Sequence, residues 1–225
     1  MATIYAYSDG SLGAQTTLWD GVHDADEAKN AYFNQEGATA VTHRDDAVWA
    51  GMNNAAIFRT FMSFDTSGIT VSPTEATLKV YGKANGDNNI IVVKSTYDPS
   101  NAGAASFNDL TGWGSGYNNS TMTAYSSEIS SWSTSGYNEI ALNSTAGADM
   151  ASLDTFKIAI IDYDYDYLDV EPGTSVQVKT GMYFSGQSGT DKDPYIEYTA
   201  GADPSKGKLE FKSGKLQLTS GKITF

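Results

Sequence analysis

The alternation of apolar and polar residues over positions 59–82, RTFMSFDTSGITVSPTEATLKVYG, constrains the fold more than any other feature of the chain. Two runs of alternate positions are apolar, namely Phe58, Met62 and Phe64 around polar Thr60, and Ala76, Leu78 and Val80. A period of two is typical of strands that bury one face in an antiparallel sheet. Asp65, Gly68 and Pro73 favour turns between the runs. The pattern therefore predicts two half-buried strands in the core of an all-β sandwich.

Other segments have the same strand character. They read TIYAYS at the N terminus, then NNIIVVKSTY, TSGYNEIALN, TFKIAII, VQVKTGMYFSGQ and DPYIEYT. The unbroken apolar run at residues 90–93 indicates a strand that is buried on both faces. Asp9-Gly10 predicts a turn after the first strand, and STAGAD predicts a short polar connection after Asn143.

One short helix is expected near the N terminus, at residues 25–34. Asp24 and Glu27 have the spacing of a capping box, and Gly37 suits the end of a helix. Residues 34–54 then have loop character and include His43-Arg44-Asp45-Asp46. We interpret this cluster as a solvated loop rather than a metal site, because Asp45 and Asp46 would share an ion only at a sharp bend.

Composition excludes several classes of protein. The formal net charge of -13 over 225 residues argues against binding to nucleic acid through phosphate contacts. No apolar run approaches the length of a membrane span, so no membrane partner is expected. The absence of cysteine excludes a disulfide scaffold. The start of the sequence has no basic and apolar leader, so we expect no export by the usual secretory route.

An enzyme is not expected. The chain has only two His residues, and it contains no nucleophile elbow, phosphate-binding loop or HExxH motif. The 27 Asp and Glu residues include no pair that the sequence singles out for glycoside hydrolysis. We therefore predict no catalytic residues and no cofactor, with calcium as the single ligand to consider.

The segment TFKIAIIDYDYDYLDVEPGT offers candidate binding residues. If the strand continues past Ile161, it projects an acidic face and an aromatic face, formed by Asp162, Asp164 and Asp166 and by Tyr163, Tyr165 and Tyr167 respectively. The tyrosines could stack on sugar rings or on a partner protein. The carboxylates are weak calcium candidates, because alternate residues of a straight strand lie about 7 Å apart and need ligands from another loop.

A long segment rich in Gly, Ser, Asn and Thr occupies residues 101–137. It carries more aromatic residues than a linker would, at Phe107, Trp113, Tyr117, Tyr125, Trp132 and Tyr137. Such loops suit an adaptable recognition surface. The alternative is that the rings close the ends of the sandwich. We favour this alternative for Trp113 and Trp132, and for the tyrosines both interpretations remain.

The C-terminal tail, residues 201–225, repeats with a period of seven: GKLEFKS, GKLQLTS, GKITF. Two-residue Ser-Gly turns would fold it into a three-stranded meander. All its apolar side chains would then lie on one side, namely Leu209, Phe211, Leu216, Leu218, Ile223 and Phe225. A sheet this small needs a cover for its apolar side. We therefore predict an assembly or anchoring module that follows a body of residues 1–200.

Charge distinguishes the tail from the body. Residues 201–225 carry five Lys and two acidic residues, whereas residues 1–200 carry nine basic and 25 acidic residues. A basic tail could lie against the acidic body of a neighbouring copy. The alternative is that its lysines keep edge strands soluble.

The segment RTFMSFDTSGI…TEATLKVYG resembles the R-x-Y/F-L/M-x-F-D-x-S-x-I … A-T-L-x-L/V-Y signature of DNRLRE-type domains. MYFSGQSGTDKDPYIEYT is similar to the final hairpin of that family, and the resemblance covers residues 47–199. The family consists of jelly-roll sandwiches in bacterial surface proteins, phage fibres and alginate-type carbohydrate-binding modules. It implies an antiparallel jelly-roll β-sandwich with a surface-exposed binding or structural role.

Two functions are therefore expected. The first is a virion structural protein, namely a phage capsid decoration, fibre or tail-associated protein that is made in the host cytoplasm, forms homo-oligomers and contacts other virion proteins. The second is an extracellular carbohydrate-binding module or filament subunit that binds acidic or neutral glycans. Surface glycans are a partner in the second case and can be one for a fibre.

Overall fold

The computed structural model describes residues 1–16, 23, 30–32, 36–45, 53–85, 89–101, 107–113, 121–173, 176–203, 209–212 and 215–218. Its strands are β1 (Ala2–Thr16), β2 (Asn30–Tyr32), β3 (Glu36–Asp45), β4 (Asn53–Asp65), β5 (Glu75–Asn85), β6 (Ile90–Lys94), β7 (Tyr137–Leu142), β8 (Thr155–Asp162), β9 (Val176–Tyr183), β10 (Tyr195–Thr199), β11 (Leu209–Lys212) and β12 (Lys215–Leu218). Helix α1 (Ser144–Ser152) precedes β8, and a π-helical turn (Tyr163–Tyr167) follows it. A short 3-10 turn spans Pro99–Asn101. Among the described residues, no helix has the length and apolarity to cross a membrane.

The body is an antiparallel β-sandwich of two layers. In the front sheet, the first residues of β1 pair with β10, β10 pairs with β5, and β5 pairs with β7. In the central sheet, β4 lies in the middle with the rest of β1 along one side and β2 beyond it. The other side of β4 pairs with β3 near its start and with β8 near its end. Strand β6 extends the sheet beyond β8, and β9 pairs with both β3 and the end of β5.

The main core fills the space between the two sheets. Met62 and Phe64 of β4 face Leu78 and Val80 of β5 across it, and all four side chains are inaccessible to solvent. Helix α1 closes one part of this core with Met150. The period-two pattern therefore correctly predicted the inward faces of β4 and β5, and the predicted all-β sandwich is confirmed.

A second core lies on the opposite face of the central sheet. Ile57 and Phe61 of β4 pack there with Ile91 of β6 and Ile161 of β8, and the loop residue Phe107 covers them. Strand β6 is accordingly buried on both faces, as its unbroken apolar run predicted. Strand β4 was predicted to be half-buried, and this prediction is wrong because the segment after β6 folds back over its other face.

The long segment after β6 supplies aromatic residues to both cores. Phe107 and Trp113 pack in the second core, whereas Tyr125 and Trp132 pack against the main core. Burial and a hydrogen bond to Asp149 raise the pKa of the Tyr125 phenol. Trp113 and Trp132 are thus each partly buried against a core, whereas their predicted position at the ends of the sandwich stays a prediction. Tyr117 lies outside the described residues.

Several local predictions are wrong. Asp9 and Gly10 lie inside the 15-residue strand β1, where a register shift between Ala6 and Ser8 takes the place of a turn. The helix predicted at 25–34 does not extend through residues 30–32, which form β2, and residues 24–29 lie outside the described residues. Much of the loop expected at 34–54 belongs to β3 and β4.

Helix α1 replaces the short connection expected after Asn143. The Asn143 side chain caps it by accepting a hydrogen bond from the Ala146 amide at 3.0 Å. Ala-rich turns propagate well once such a cap satisfies a free amide. The buried residues Ala146, Gly147 and Met150 then anchor the helix on the core.

The closing segment does not form the hairpin that the resemblance implied. Strands β9 and β10 both exist, but β5 lies between them and pairs with each. The polar loop between β9 and β10 therefore crosses from one sheet to the other.

The C-terminal repeat contains the first of its two predicted hairpins. Strands β11 and β12 pair antiparallel, with Leu209 opposite Leu218 and Phe211 opposite Leu216. This is the predicted register. Ile223, Phe225 and the expected third strand lie outside the described residues.

Candidate functional site

The second core contains a buried ion pair. Arg59 of β4 and Asp166 of the π-helical turn are both inaccessible to solvent. Arg59 Nε donates to Asp166 Oδ2 at 2.8 Å, and Nη2 donates to Oδ1 at 2.7 Å. This fork-to-fork geometry is the strongest form of a side-chain ion pair. It ties the turn after β8 to the middle of the central sheet.

Two aromatic rings enclose the Arg59 guanidinium. Its carbon lies 4.0 Å from the ring centre of Phe107 and 4.1 Å from that of Trp113. Nη1 donates to the Phe107 carbonyl at 2.9 Å and to Asn108 Oδ1 at 2.6 Å. Cation–π attraction and these hydrogen bonds hold the loop at 107–113 over the sheet.

His23 completes this cluster. Its backbone carbonyl accepts the remaining Arg59 hydrogen bond, from Nη2 at 3.4 Å. Its Nε2 lies 3.0 Å from the Asp166 carbonyl oxygen, and its Nδ1 lies 3.4 Å from Asp169 Oδ1. Its ring centre is 4.8 Å from that of Trp113. His23 therefore connects a further segment of the chain to the same ion pair.

The Arg59 cluster is a closed structural clamp. A guanidinium has five N–H donors, and Asp166, Phe107, Asn108 and His23 accept from all of them. No donor is left to bind an anionic ligand. The cluster therefore joins three segments of the second core to β4.

The predicted acidic face does not form, because β8 ends at Asp162 and the chain turns. Asp162 is buried and caps the turn by accepting from the Tyr165 amide at 2.7 Å. Asp166 belongs to the clamp, and Asp164 accepts from Asn89 Nδ2 at 3.4 Å. The prediction of an extended strand through residue 167 is therefore wrong. Within the described ranges, no group of three or more His, Asp or Glu side chains could hold a metal ion.

The predicted aromatic face is also rearranged. Tyr163 and Tyr167 stack on each other, with ring centres 5.5 Å apart and 19° between the planes. Both of them and Tyr165 are half-buried against the second core. The three rings therefore do not project as one row. Their predicted role in ligand binding stays a prediction.

A larger aromatic surface covers the outer side of the front sheet. We call it the tyrosine face, and its members are Tyr5, Tyr195, Tyr137, Tyr81 and Tyr183. Neighbouring ring centres along this row lie 5.5, 5.1, 5.3 and 5.8 Å apart. The rings come from β1, β10, β7, β5 and β9 in that order. Because β5 lies between β10 and β7 in the sheet, the contacts double back, and the rings form one contiguous patch that reaches β9 of the central sheet.

Hydrogen bonds fix the central rings of the tyrosine face. Tyr137 Oη donates to the Asp191 and Asp193 carbonyls at 3.1 and 3.2 Å, and Tyr81 Oη donates to the Ser135 carbonyl at 3.0 Å. Burial, with smaller contributions from nearby acidic groups and tyrosines, raises the pKa of Tyr137 to about 12. The Tyr137 hydroxyl therefore remains a donor at neutral pH.

Charged side chains lie among these rings. Lys79 forms ion pairs with Glu139 and Glu197 in the middle of the front sheet. Lys192 Nζ lies 4.3 Å from the Tyr183 ring centre and 5.3 Å from that of Tyr81. The rings are therefore set in a polar surround of both charge signs.

Sequence reasoning missed both the clamp and the tyrosine face. The clue to the clamp was an arginine at an inward position of an otherwise apolar strand. The clue to the tyrosine face was tyrosine at outward positions of several predicted strands, as at Tyr81 beside Val80. Neither could be completed without the pairing of strands that are far apart in sequence.

Comparison of the sequence with protein families and curated proteins identifies no relative. No protein-family model matches the chain, and no curated protein matches its sequence. The resemblance to DNRLRE-type domains, and with it the jelly-roll topology, therefore stays a prediction.

Proposed function

We propose that this protein is a non-enzymatic structural protein of a virion, namely a phage capsid decoration, fibre or tail-associated protein that assembles through its C-terminal tail. The observation that carries this proposal is the pairing of β11 with β12 in the register that places Leu209 opposite Leu218 and Phe211 opposite Leu216. In this register, the alternation of the repeat assigns its apolar residues to one side of the hairpin.

A hairpin of this kind needs a partner. An isolated two-stranded ribbon is at best marginally stable in water, and an apolar side exposed on it favours association. The tail is basic whereas the body is strongly acidic, so charge favours contact between the tail of one copy and the body of another. Both terms support homo-oligomers.

The body suits display on a particle surface. Its central sheet is covered on both faces, and the Arg59 clamp fastens the covering segments to it. The front sheet, with its tyrosine face, is then available to the exterior. We place the protein on the virion surface, with other virion proteins as partners, after synthesis in the host cytoplasm.

Matched substitutions in β12 test the assembly role. We expect Leu216→Lys to shift the full-length protein from oligomer to monomer in light scattering, because the new charge lies on the apolar side. Gln217→Lys adds the same charge at the neighbouring position, on the other side, and should leave the oligomer intact. An oligomer that survives Leu216→Lys, or equal effects of the two variants, would contradict the proposal.

The virion role has a separate test. An antibody against the body should label particles purified from lysates that contain this protein, and the Leu216→Lys variant should fail to join them. Particles without the protein, in lysates where it is abundant, would contradict this role while leaving assembly in solution intact.

An extracellular glycan-binding module or filament subunit is the second candidate, and the half-exposed Tyr163, Tyr165 and Tyr167 favour it. Replacement of all three by Ala should abolish glycan binding if they form the binding surface. Genes for polysaccharide degradation beside this one would favour this candidate, whereas capsid and tail genes would favour the virion role.

A further inference from the structure

We infer that the tyrosine face binds an extended chain of neutral pyranose sugars. This site is distinct from residues 163–167 and from the tail, and the inference is independent of the proposed assembly role.

The row of rings has the dimensions of a polysaccharide site. Its neighbouring ring centres are separated by 5.1 to 5.8 Å, which is close to the length of one pyranose in an extended chain. Tyr5 is 55% exposed and the other four rings are half-exposed. A sugar chain that crosses the tyrosine face can therefore meet several of these rings.

The rings are fixed before a ligand arrives. Neighbours along the row meet tilted or edge to face, and the hydroxyls of Tyr81 and Tyr137 are held by backbone carbonyls. Tyrosine also has few rotatable bonds, so binding of a ligand costs little side-chain conformational entropy. A weak stacking contact at each ring can then add to useful affinity along the row.

A cleft extends the tyrosine face beyond β7. It has a volume of about 420 Å³ and is lined by Trp132, Tyr137 and Glu139, with Ser131 and Ser133 at its side. An indole together with hydroxyls and a carboxylate suits a sugar ring, which has an apolar C–H face and a rim of hydroxyl groups. The cleft therefore offers a pocket for one sugar beside Tyr137, the middle ring of the row.

The charges favour a neutral ligand over a polyanion. Lys79, Glu139 and Glu197 compensate one another in the middle of the front sheet, and Lys192 lies against the rings of Tyr183 and Tyr81, so the face carries charges of both signs. The net charge of the chain, -13, opposes an acidic polysaccharide at longer range. The same carboxylates can accept hydrogen bonds from sugar hydroxyls.

The surroundings of the rings favour a glycan over a protein partner. Protein interfaces are built around a buried apolar centre. The outward positions next to these tyrosines are instead polar, with Thr77 and Lys79 on β5 and Glu197 and Thr199 on β10. The front sheet consists of β7, β5, β10 and the start of β1. Among the described residues, these strands expose no large aliphatic side chain, and only Met1, which precedes β1, is exposed beside them.

Affinity gel electrophoresis of the full chain tests the inference. The probes are soluble neutral polysaccharides, namely hydroxyethylcellulose, xyloglucan, galactomannan and amylose, with polygalacturonate as the acidic counterpart. We expect at least one neutral probe to retard the protein. Tyr5→Ala and Tyr195→Ala should each weaken that binding, and the double variant should weaken it about tenfold or more.

The control variant replaces Tyr7, which lies on the same strand as Tyr5. Tyr7 is 49% exposed, similar to Tyr5, but it bonds to Asp98 and is outside the row. Tyr7→Ala should bind the polysaccharide like the unchanged protein. Tyr195→Phe keeps the ring and should bind more strongly than Tyr195→Ala, which would show that the loss in Tyr195→Ala comes from the missing ring and not from unfolding. The inference would be overturned if no neutral probe retarded the protein or if polygalacturonate alone did so. It would also be overturned if binding were lost on replacing Tyr163 and Tyr167 but not on replacing the tyrosines of the row.

Discussion

At the residue scale, Arg59 shows how a charge can occupy the core of a sheet. Removing a guanidinium and a carboxylate from water costs several kcal/mol each, and only good geometry with further hydrogen bonds offsets this cost. Arg59 and Asp166 meet these conditions, because every donor of the arginine has an acceptor and two rings lie against it. The pair therefore specifies how the covering segments dock.

Replacing one partner of the Arg59–Asp166 pair should destabilise the fold far more than replacing both. We expect Arg59→Met to lower the free energy of unfolding by about 3 to 5 kcal/mol, because Asp166 is left buried without its cation. The double variant, Arg59→Met with Asp166→Leu, should lose much less. Urea unfolding measures both, and a single variant that loses under about 1 kcal/mol would contradict the clamp.

Asp9 should give stability an unusual pH dependence. Its carboxylate lies in β1 and accepts from the Ser185 amide and hydroxyl at 2.8 and 2.9 Å. Burial nevertheless raises the pKa of Asp9 to about 6 from 3.8. Since the folded protein holds the proton more tightly than the unfolded chain, the stability that this proton contributes is present below pH ~4 and is lost as pH rises through ~6.

The variant Asp9→Asn isolates this effect. Its free energy of unfolding, minus that of the unchanged protein, should increase between about pH 4 and pH 6 and then level off. Chemical unfolding at a series of pH values measures the difference. Two curves that stay parallel over this range would show that Asp9 titrates normally.

At the scale of single elements, Gly82 lets β5 pass close to the segment before β7. A Cβ at this position would overlap the Ser133 carbonyl oxygen and lie 2.8 Å from both Asn138 Nδ2 and Trp132 Nε1. Gly82→Ala should therefore cost about 1 to 3 kcal/mol in stability. Gly68→Ala is the control, since a Cβ added there would have no other atom within 4 Å, and its melting temperature should be unchanged.

Local periodicity predicted some elements and not others. The inward faces of β5 and β6 follow from alternation and from an unbroken apolar run. The turn at Tyr163–Tyr167 does not, because alternating Asp and Tyr would suit a strand equally well. It forms because Asp162 caps it and Asp166 reaches Arg59, which is 107 residues away in sequence. Likewise, Asp9-Gly10 stays in β1 because long pairing with β4 outweighs its turn preference.

At the scale of the whole molecule, the sequence predicted one core, whereas the described residues form two. The second core depends on loop residues such as Phe107 and Leu110 that return over β6 and β8. Their aromatic content indicated that the loop was more than a linker, but not which face of which sheet it would cover. The same limit hid the tyrosine face, whose rings come from five strands.

Assembly through the tail is the central claim about the whole molecule. The two described strands of the tail pair with each other in their own sheet. The body has two cores built from residues before position 200. We therefore expect the body to fold without the tail, and the tail to act between molecules.

Sedimentation velocity of the full-length protein and of a chain that ends at Ala200 tests this claim most directly. The account predicts an oligomer for the first and a folded monomer for the second, with the same thermal transition of the body. The same assembly state for both chains would contradict it.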